Sequence, residues 1–290
     1  MNPSIAYLNG QFLPLNEATI SPLDRGFLFA DGVYEVIPVY NGHLFELSRH
    51  LDRLTNSLSA VSLDGGLTTA EWETLLQELV TRNSGGNLSV YLQITRGAPE
   101  LRDHNPLPAA PTVFAMVSAL KSSTLAFLHQ GIAAVTLPDI RWQACHIKSI
   151  ALLPNVMARQ QAQQQGSADA ILVRDDYVTE GTASNVFIIR DDTLFTPPLD
   201  QRILPGITRQ LIVDIAVAQG IVCRQQDIPA AWLETAQEIW LTSSTREIVP
   251  VTQLNGGPVG TGTPGPLWRR MMELYQDYKT KNCPSPLTVH

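Results

Sequence analysis

The stretch Thr179-Glu180-Gly181-Thr182-Ala183-Ser184-Asn185 runs directly into the apolar residues Val186-Phe187-Ile188-Ile189. A run of β-branched and aromatic residues favours a buried strand. The small and hydroxyl-bearing residues before it predict a polar turn at the mouth of a sheet, and Glu180 is the carboxylate in that turn. A capped turn with an exposed glutamate is the commoner explanation of such a pattern. The stretch therefore predicts a strand with a polar end, and it makes Glu180 a candidate functional residue.

Upstream of this stretch the sequence predicts an α+β block that begins with hairpins. Asn9-Gly10 and Asn41-Gly42 each separate two short apolar runs, and Asn-Gly suits a hairpin turn because both turn positions need a positive φ. Apolar spacing and composition then predict two helices, two strands and the proline-rich loop between the strands. These elements are the helices Leu47–Ser59 and Ala70–Val80, the strands Ser89–Thr95 and Thr112–Ala119, and the loop Gly97–Pro111.

A second block of strands and helices begins near Gly131, after the plausible linker Lys121–Thr124. We place the boundary near residue 122, so that residues 1–121 form a small N-terminal domain and residues 122–290 a larger C-terminal one. Strands and helices alternate irregularly here, which favours α+β domains over a doubly wound sheet. The predicted elements are the helices Leu153–Gln165, Thr208–Gln219 and Leu267–Tyr278 and the strands Ala170–Val173, Val186–Ile189 and Glu238–Thr242.

Composition narrows the class of protein. The chain has 290 residues, a hydrophobic share of 44% and a net charge of -7, with its basic residues scattered, which argues against nucleic acid and membrane surfaces as partners. The three cysteines, Cys145, Cys223 and Cys283, lack metal-ligand spacing, so we expect neither a metal site nor a disulfide framework. We expect a cytoplasmic enzyme that acts on small molecules.

The glycine-rich segment Gly260–Gly265 matches the GxGxxG pattern of dinucleotide-binding proteins. That pattern requires a strand before the glycines, and no clear strand leads into this segment. We therefore expect a turn here and no dinucleotide site.

Lysine is scarce, and this scarcity singles out Lys148. Of the four lysines, Lys121 lies in the plausible linker and Lys279 and Lys281 lie near the end, whereas Lys148 lies in the partly apolar stretch Cys145–Ile150. A lysine in apolar surroundings can act as a nucleophilic amine toward a carbonyl. A solvated residue at a strand end is the more frequent role of a lone lysine.

Three other groups could bind anions. Pro205–Arg209 opens a helix after a glycine, Leu241–Arg246 clusters hydroxyls, and Arg102 with His104 could clamp a carboxylate. Plain helix capping and a solvated loop are the commoner explanations.

Taken together, these motifs resemble the class IV (fold type IV) aminotransferases, in particular their D-amino acid branch, from about Ala6 to Thr280. The resemblance implies a two-domain fold, with a small N-terminal α/β domain and a larger C-terminal pseudo-barrel domain, and pyridoxal 5′-phosphate as cofactor. The matching blocks are Asp24-Arg25-Gly26, Phe29–Val36, His50–Leu54, Asp139–Trp142, Ile147–Ser149, Thr179–Gly181, Ser184–Phe187, Gly206–Arg209 and Thr242–Ser244.

The resemblance also implies roles for individual residues. Lys148 would form the Schiff base with the cofactor and shuttle the proton, and Glu180 would pair with the pyridine nitrogen. Tyr34, Val36 and Ser244 would contact the substrate, whose carboxylate Arg102 and His104 would trap from the other subunit of a homodimer. The remaining cofactor-binding residues would be Arg53, Arg141, Ser184, Asn185, Leu204, Ile207, Thr208, Ser243 and Ser244.

The implied reaction moves an amino group between a D-amino acid of the D-alanine, D-glutamate or D-aspartate type and a 2-oxo acid such as 2-oxoglutarate or pyruvate. Aminotransferases for branched-chain L-amino acids or (R)-amines, 4-amino-4-deoxychorismate lyase and a silent binding protein remain alternatives. Two departures bear on this choice: the 97–102 loop is about one residue longer than the family's usual form, and Arg246 replaces a small polar residue. The second departure would favour acidic substrates.

Overall fold

The structure is a computed structural model that describes residues 4–120 and 130–285. Two compact units make up the chain: Met1–Leu120 with Ile147–Ala151 and Lys279–His290, and Lys121–His146 with Leu152–Tyr278. Lys148 thus belongs to the first unit. The predicted linker Lys121–Thr124, and with it the boundary near residue 122, lies outside the described residues. Within the described ranges, no helix has the length and apolar character needed to span a membrane.

The first unit contains a six-stranded antiparallel sheet in the spatial order β2-β1-β6-β5-β3-β4. Its strands are β1 (Ile5–Leu8), β2 (Gln11–Pro14), β3 (Gly32–Tyr40), β4 (His43–Leu44), β5 (Leu88–Thr95) and β6 (Thr112–Ala119). Both predicted hairpins are confirmed: the Asn and the Gly of each turn have positive φ values.

Helices Leu47–Ala60 and Thr69–Arg82 lie where apolar spacing predicted them. Thr68 accepts a hydrogen bond from the backbone N–H of Glu71 and its own N–H donates to the Glu71 carboxylate, so the second helix begins with a capping box. The apolar faces of both helices share one core with β3, β5 and β6. Short helices cover Leu15–Glu17 and Arg25–Phe29.

The second unit contains a nine-stranded mixed sheet in the order β12-β11-β10-β13-β14-β7-β8-β9, with β15 paired to β14. The pairs β11/β12, β14/β7 and β7/β8 are parallel. The strands are β7 (Ile132–Pro138), β8 (Asp169–Arg174), β9 (Tyr177–Gly181), β10 (Asn185–Arg190), β11 (Thr193–Thr196), β12 (Cys223–Gln225), β13 (Glu238–Ser243), β14 (Glu247–Leu254) and β15 (Gly257–Pro258).

The second unit contains the α-helices Leu153–Gln164 and Ile207–Ala218, the 3-10 helix Ala230–Thr235, and the α-helix Pro266–Asn282 as far as Tyr278. The last α-helix ends at Asn282 rather than at the predicted Tyr278. Its first turn also explains the GxGxxG pattern. The Glu238 carboxylate accepts the N–H groups of Leu267 and Trp268 at 2.9 Å, so a carboxylate of the protein already occupies the helix end that a dinucleotide phosphate would need.

Candidate active site

Backbone contacts on both sides of Lys148 hold it at the edge of β3. Its carbonyl accepts the N–H of Tyr34 at 3.0 Å, and its own N–H donates to the Ser57 hydroxyl at 3.2 Å. The next residue, Ser149, forms a bridge with Val33. A Cβ at Gly32 would lie 2.6 Å from the Ile94 carbonyl oxygen, so the strand beside this segment needs a glycine there.

The Lys148 side chain lies over an aromatic ring. Its Nζ is 4.2 Å from the centroid of Tyr34, whose ring lies 5.7 Å from that of Tyr91. Burial raises the pKa of Tyr91 to about 12. Tyr34 and Val36 project from the same face of β3, because successive side chains of a strand alternate. The structure therefore brings Lys148 and Tyr34 together, and no carboxylate within the described ranges pairs with the amine.

The opposite face of β3 carries a buried charge cluster around Glu35. The Glu35 carboxylate accepts two hydrogen bonds from Arg53, both 2.8 Å, and contacts His50 Nδ1 at 2.7 Å. Burial alone would raise the pKa of Glu35, but the charge and hydrogen bonds of Arg53 outweigh it and hold the pKa well below its usual range. Arg53 is therefore fixed by a carboxylate that sequence analysis had left without a role.

Arg102 and His104 lie on the loop between β5 and β6, around one aromatic ring. The guanidinium of Arg102 is 4.6 Å from the centroid of Phe29, and the His104 ring is 5.3 Å from it. Arg25 anchors the loop by hydrogen bonds. Its guanidinium donates to the carbonyls of Asp103 at 2.5 Å and His104 at 3.2 Å. The Asp24-Arg25-Gly26 motif thus anchors the segment that carries the predicted carboxylate trap.

In the second unit, Glu180 is the penultimate residue of β9, so its predicted place in a turn is wrong. Pairing with β8 extends the strand through Gly181, and the turn covers only residues 182–184. Glu180 is buried and forms an ion pair with Arg141. Its other carboxylate oxygen receives a hydrogen bond from Asn185 at 3.4 Å.

Arg141 is itself shared with a second carboxylate. Asp139 accepts hydrogen bonds from Arg141 Nε and Nη2 at 2.9 and 2.8 Å, and from the Thr179 hydroxyl at 2.9 Å. Burial raises the pKa of Glu180, and Arg141 offsets this only in part. Asp139 is a further residue that sequence analysis left without a role, although it lay in a quoted motif.

The other predicted residues of this unit lie at neighbouring strand and helix ends. Asn185 donates to the Leu204 carbonyl at 2.8 Å, and Thr208 is buried in the first turn of helix Ile207–Ala218. Ser243 and Ser244 lie half-buried at the end of β13 and in the turn that follows. The buried hydroxyls of Ser184 and Thr242 have no hydrogen-bond partner in the described part of the chain. Such hydroxyls are free to bind a polar atom of a ligand or of water.

Comparison with known proteins identifies the family of this chain. Residues 32–254 match the family model of amino-transferase class IV. The chain is 37% identical to D-alanine aminotransferase of Bacillus licheniformis, over 93% of this chain and 95% of that protein. It is 36% identical to D-alanine aminotransferase of Staphylococcus haemolyticus, over 94% and 96% of the two chains.

Solved structures show the same fold. The T.th. branched-chain amino acid aminotransferase, solved with pyridoxamine 5′-phosphate, superimposes with a TM-score of 0.91 at 26% identity, covering 97% of this chain and 96% of that one. A PLP-bound hypothetical aminotransferase from Mycobacterium tuberculosis gives a TM-score of 0.82 at 27% identity, covering 94% and 97%. The family model spans most of the chain and the relatives match nearly all of it, so this protein belongs to the class IV aminotransferases.

Proposed function

We propose that this protein transfers an amino group between a D-amino acid of the D-alanine, D-glutamate or D-aspartate type and a 2-oxo acid such as 2-oxoglutarate or pyruvate. The observation that carries the proposal is the 37% identity to a D-alanine aminotransferase over 93% of this chain. The branched-chain aminotransferases of the same fold are less similar, at 26% identity for the one solved with pyridoxamine 5′-phosphate. A branched-chain activity therefore has less support.

As a class IV aminotransferase the protein uses pyridoxal 5′-phosphate, and the residues of the second unit fit such a group. The unpaired hydroxyls of Ser184 and Thr242 can bind polar atoms, and a helix N-terminus such as that at Ile207 binds phosphate. We assign the phosphate to the group Ile207, Thr208, Ser243 and Ser244; the cofactor role expected for Arg53, a residue of the first unit, stays a prediction. Arg141, Asn185 and Leu204 would support Glu180, and Glu180 would bind the pyridine nitrogen. The bound cofactor supplies an electron sink for the charge that develops at the substrate Cα.

Lys148 is the side chain that we propose as the catalytic residue. The Lys148 amine would hold the cofactor and would move the proton at the substrate Cα. The Lys148 amine lies over the Tyr34 ring, and hydrogen bonds fix the Lys148 carbonyl and N–H. These contacts hold the amine in one position, which favours reaction with a bound group.

Arg102 and His104, with Tyr34 and Val36, would bind the substrate. The contacts of Arg25 support this assignment. Its guanidinium binds only backbone carbonyls of the loop, so the side chains of Arg102 and His104, which lie near the Phe29 ring, are not used to anchor the loop. We propose that this loop acts in the partner subunit of a homodimer. The cytoplasmic location expected from the sequence stays a prediction.

The test is rapid mixing of the purified yellow protein with D-alanine, L-leucine or (R)-1-phenylethylamine, followed by absorbance. We expect D-alanine alone to convert the cofactor band quickly. If L-leucine converts the cofactor band instead, the protein is a branched-chain aminotransferase and the proposal is wrong. If (R)-1-phenylethylamine converts it, the protein is an (R)-amine aminotransferase. Pyruvate release from 4-amino-4-deoxychorismate without an amino acceptor would assign a lyase.

Replacing Lys148 tests the residue assignment. We expect Lys148→Ala to remove the absorbance of the covalently held cofactor and to lower the transamination rate by about a hundredfold or more. The control is Lys281→Ala, because Lys281 is exposed at the last helix. A Lys148→Ala protein that keeps both the band and the rate would contradict the role of this lysine.

A further inference from the structure

Outside the residues assigned above, the second unit holds a cluster of two arginines on one buried carboxylate. Asp169 Oδ2 contacts Arg159 Nη1 at 2.6 Å and Arg246 Nη1 at 2.9 Å. The Asp169 side chain is 1% exposed, whereas the two arginine side chains are 36% and 34% exposed. The carboxylate is therefore internal and both guanidinium groups reach the surface.

Arg246 is one of two arginines that neutralise Asp169. Without it, Asp169 Oδ1 still accepts hydrogen bonds from the backbone N–H of Ala170 at 3.0 Å and from the Thr182 hydroxyl at 2.6 Å, and Oδ2 keeps its ion pair with Arg159 at 2.6 Å. A further, longer contact comes from the backbone N–H of Thr182 at 3.4 Å. Removing Arg246 thus leaves the buried carboxylate with Arg159 as a partner of opposite charge.

The side chains of Arg159, Asp169 and Arg246 together carry a net charge of +1. Two guanidinium groups meet at one oxygen, one carboxylate neutralises only one of them, and like charges at this distance repel each other. Each arginine uses a single nitrogen in the contacts with Asp169 and Thr182. Since a guanidinium presents five N–H donors in a planar fork, donors remain for a second carboxylate.

The surroundings connect the cluster to the proposed reaction site of the same unit. Arg246 follows Ser243 and Ser244 on the turn between β13 and β14. The Thr182 hydroxyl donates to Asp169 and contacts Arg159 at 3.2 Å, and Thr182 follows Glu180 by two residues. Arg246 thus lies on the segment that carries Ser243 and Ser244, and Arg159 contacts the segment that carries Glu180.

We infer that Arg246 and Arg159 form a subsite for the distal carboxylate of a dicarboxylic substrate, such as D-glutamate or 2-oxoglutarate. The inference rests on the proposed transamination of D-amino acids and specifies how this protein selects among them. The subsite binds by charge-assisted hydrogen bonds to the second carboxylate, which D-alanine and D-glutamine lack. Asp169 holds the two guanidinium groups side by side.

The experiment compares kcat/KM for D-glutamate, D-glutamine and D-alanine in the wild type, Arg246→Ala, Arg246→Lys and Arg159→Ala. We expect Arg246→Ala to lower the value for D-glutamate by about tenfold and to leave those for D-glutamine and D-alanine within about twofold. For D-glutamate, the kcat/KM of Arg246→Lys should lie between those of the wild type and Arg246→Ala, because lysine keeps the positive charge but lacks the planar set of N–H donors. Arg270→Ala removes an exposed arginine from another helix and should change none of them.

Binding of glutarate and of butyrate, measured by calorimetry on the holoenzyme, separates the subsite from the reaction. We expect Arg246→Ala to weaken glutarate about tenfold and to leave butyrate unchanged. Equal glutarate affinity in wild type and Arg246→Ala, or an equal loss of kcat/KM for D-glutamate and D-glutamine, would overturn the subsite. A wild type that binds glutarate through Arg246 yet fails to convert D-alanine and D-glutamate would overturn the proposed function and leave the subsite standing.

Discussion

At the scale of single residues, three of the proposed charged groups lie against a buried partner of opposite charge. Arg53 lies against Glu35, Glu180 against Arg141, and Arg246 against Asp169. Truncating one member of a buried pair leaves the other charge uncompensated, and this is far more costly than losing a pair at the surface. Stability measurements can therefore separate the Arg53–Glu35 and Glu180–Arg141 pairs from ordinary surface contacts, whereas Asp169 keeps Arg159 when Arg246 is removed.

Glu35→Gln tests the first of these pairs. We expect it to lower the free energy of unfolding at pH 7 by about 3–5 kcal/mol, because Arg53 loses its buried counter-charge. Urea unfolding measures this difference. Glu78→Gln is the matched control: its partner Arg82 and Glu78 itself are 48% and 44% exposed, so it should cost less than about 0.5 kcal/mol.

The same variant should show a defined pH dependence. The pKa of Glu35 is lowered in the folded protein, so its contribution is present above the unfolded pKa, about 4.3, and is lost as pH falls toward the folded value. The gap between wild type and Glu35→Gln should therefore narrow below about pH 4. A gap that stays constant or widens in acid would show that the Glu35 carboxylate is not held by a charge in the folded state.

At the scale of secondary-structure elements, the start of helix Ile207–Ala218 depends on a close approach. A Cβ at Gly206 would lie 1.8 Å from Asn185 Oδ1 and 3.4 Å from Arg209 Cβ. Asn185 cannot turn away freely, because its amide donates to the Leu204 carbonyl and to Glu180. A glycine at this position thus lets the helix end approach the strand that follows Glu180.

Gly206→Ala should disturb both the packing and the proposed phosphate site. We expect it to destabilise the protein by about 1–3 kcal/mol through overpacking, and to weaken pyridoxal phosphate in equilibrium dialysis. Gly257→Ala is the control, because its nearest contact would be an ordinary 3.6 Å to the Leu254 carbonyl oxygen. Equal cofactor affinity in the two variants would remove the helix end from the phosphate site.

At the scale of the whole molecule, the proposed homodimer makes each reaction site depend on two chains. Lys148 of one subunit would act with Arg102 and His104 of the other. Two variants that are each inactive can then complement each other, because one site of a mixed dimer regains both groups.

Coexpression of Lys148→Ala with Arg102→Ala, each chain carrying a different tag, tests this arrangement. We expect mixed dimers purified through both tags to recover part of the wild-type activity, whereas each variant alone stays well below it. Mixed dimers that remain as inactive as the parents would place Arg102 in the same subunit's site or outside the reaction. An Arg102→Ala protein that keeps the wild-type activity would also exclude Arg102 from binding the substrate carboxylate.

Local chemistry explains what the sequence determined by itself. The Asn-Gly turns, the helices Leu47–Ala60 and Thr69–Arg82 and the strand after Asn185 follow from turn residues, caps and apolar periods, which act between residues near each other in the chain. The roles of Lys148 and Glu180, in contrast, came from the resemblance to the family and not from local chemistry. Their roles in the reaction stay predictions.

Only the tertiary structure decided which charges meet. Arg246 lies 77 residues from Asp169 along the chain, and Arg141 lies 39 residues from Glu180. No local pattern relates such residues, because strand pairing and helix packing bring them together. For the same reason Glu180 lies in a strand and not in the predicted turn: pairing with β8 extends β9 through a segment whose residues favour a turn.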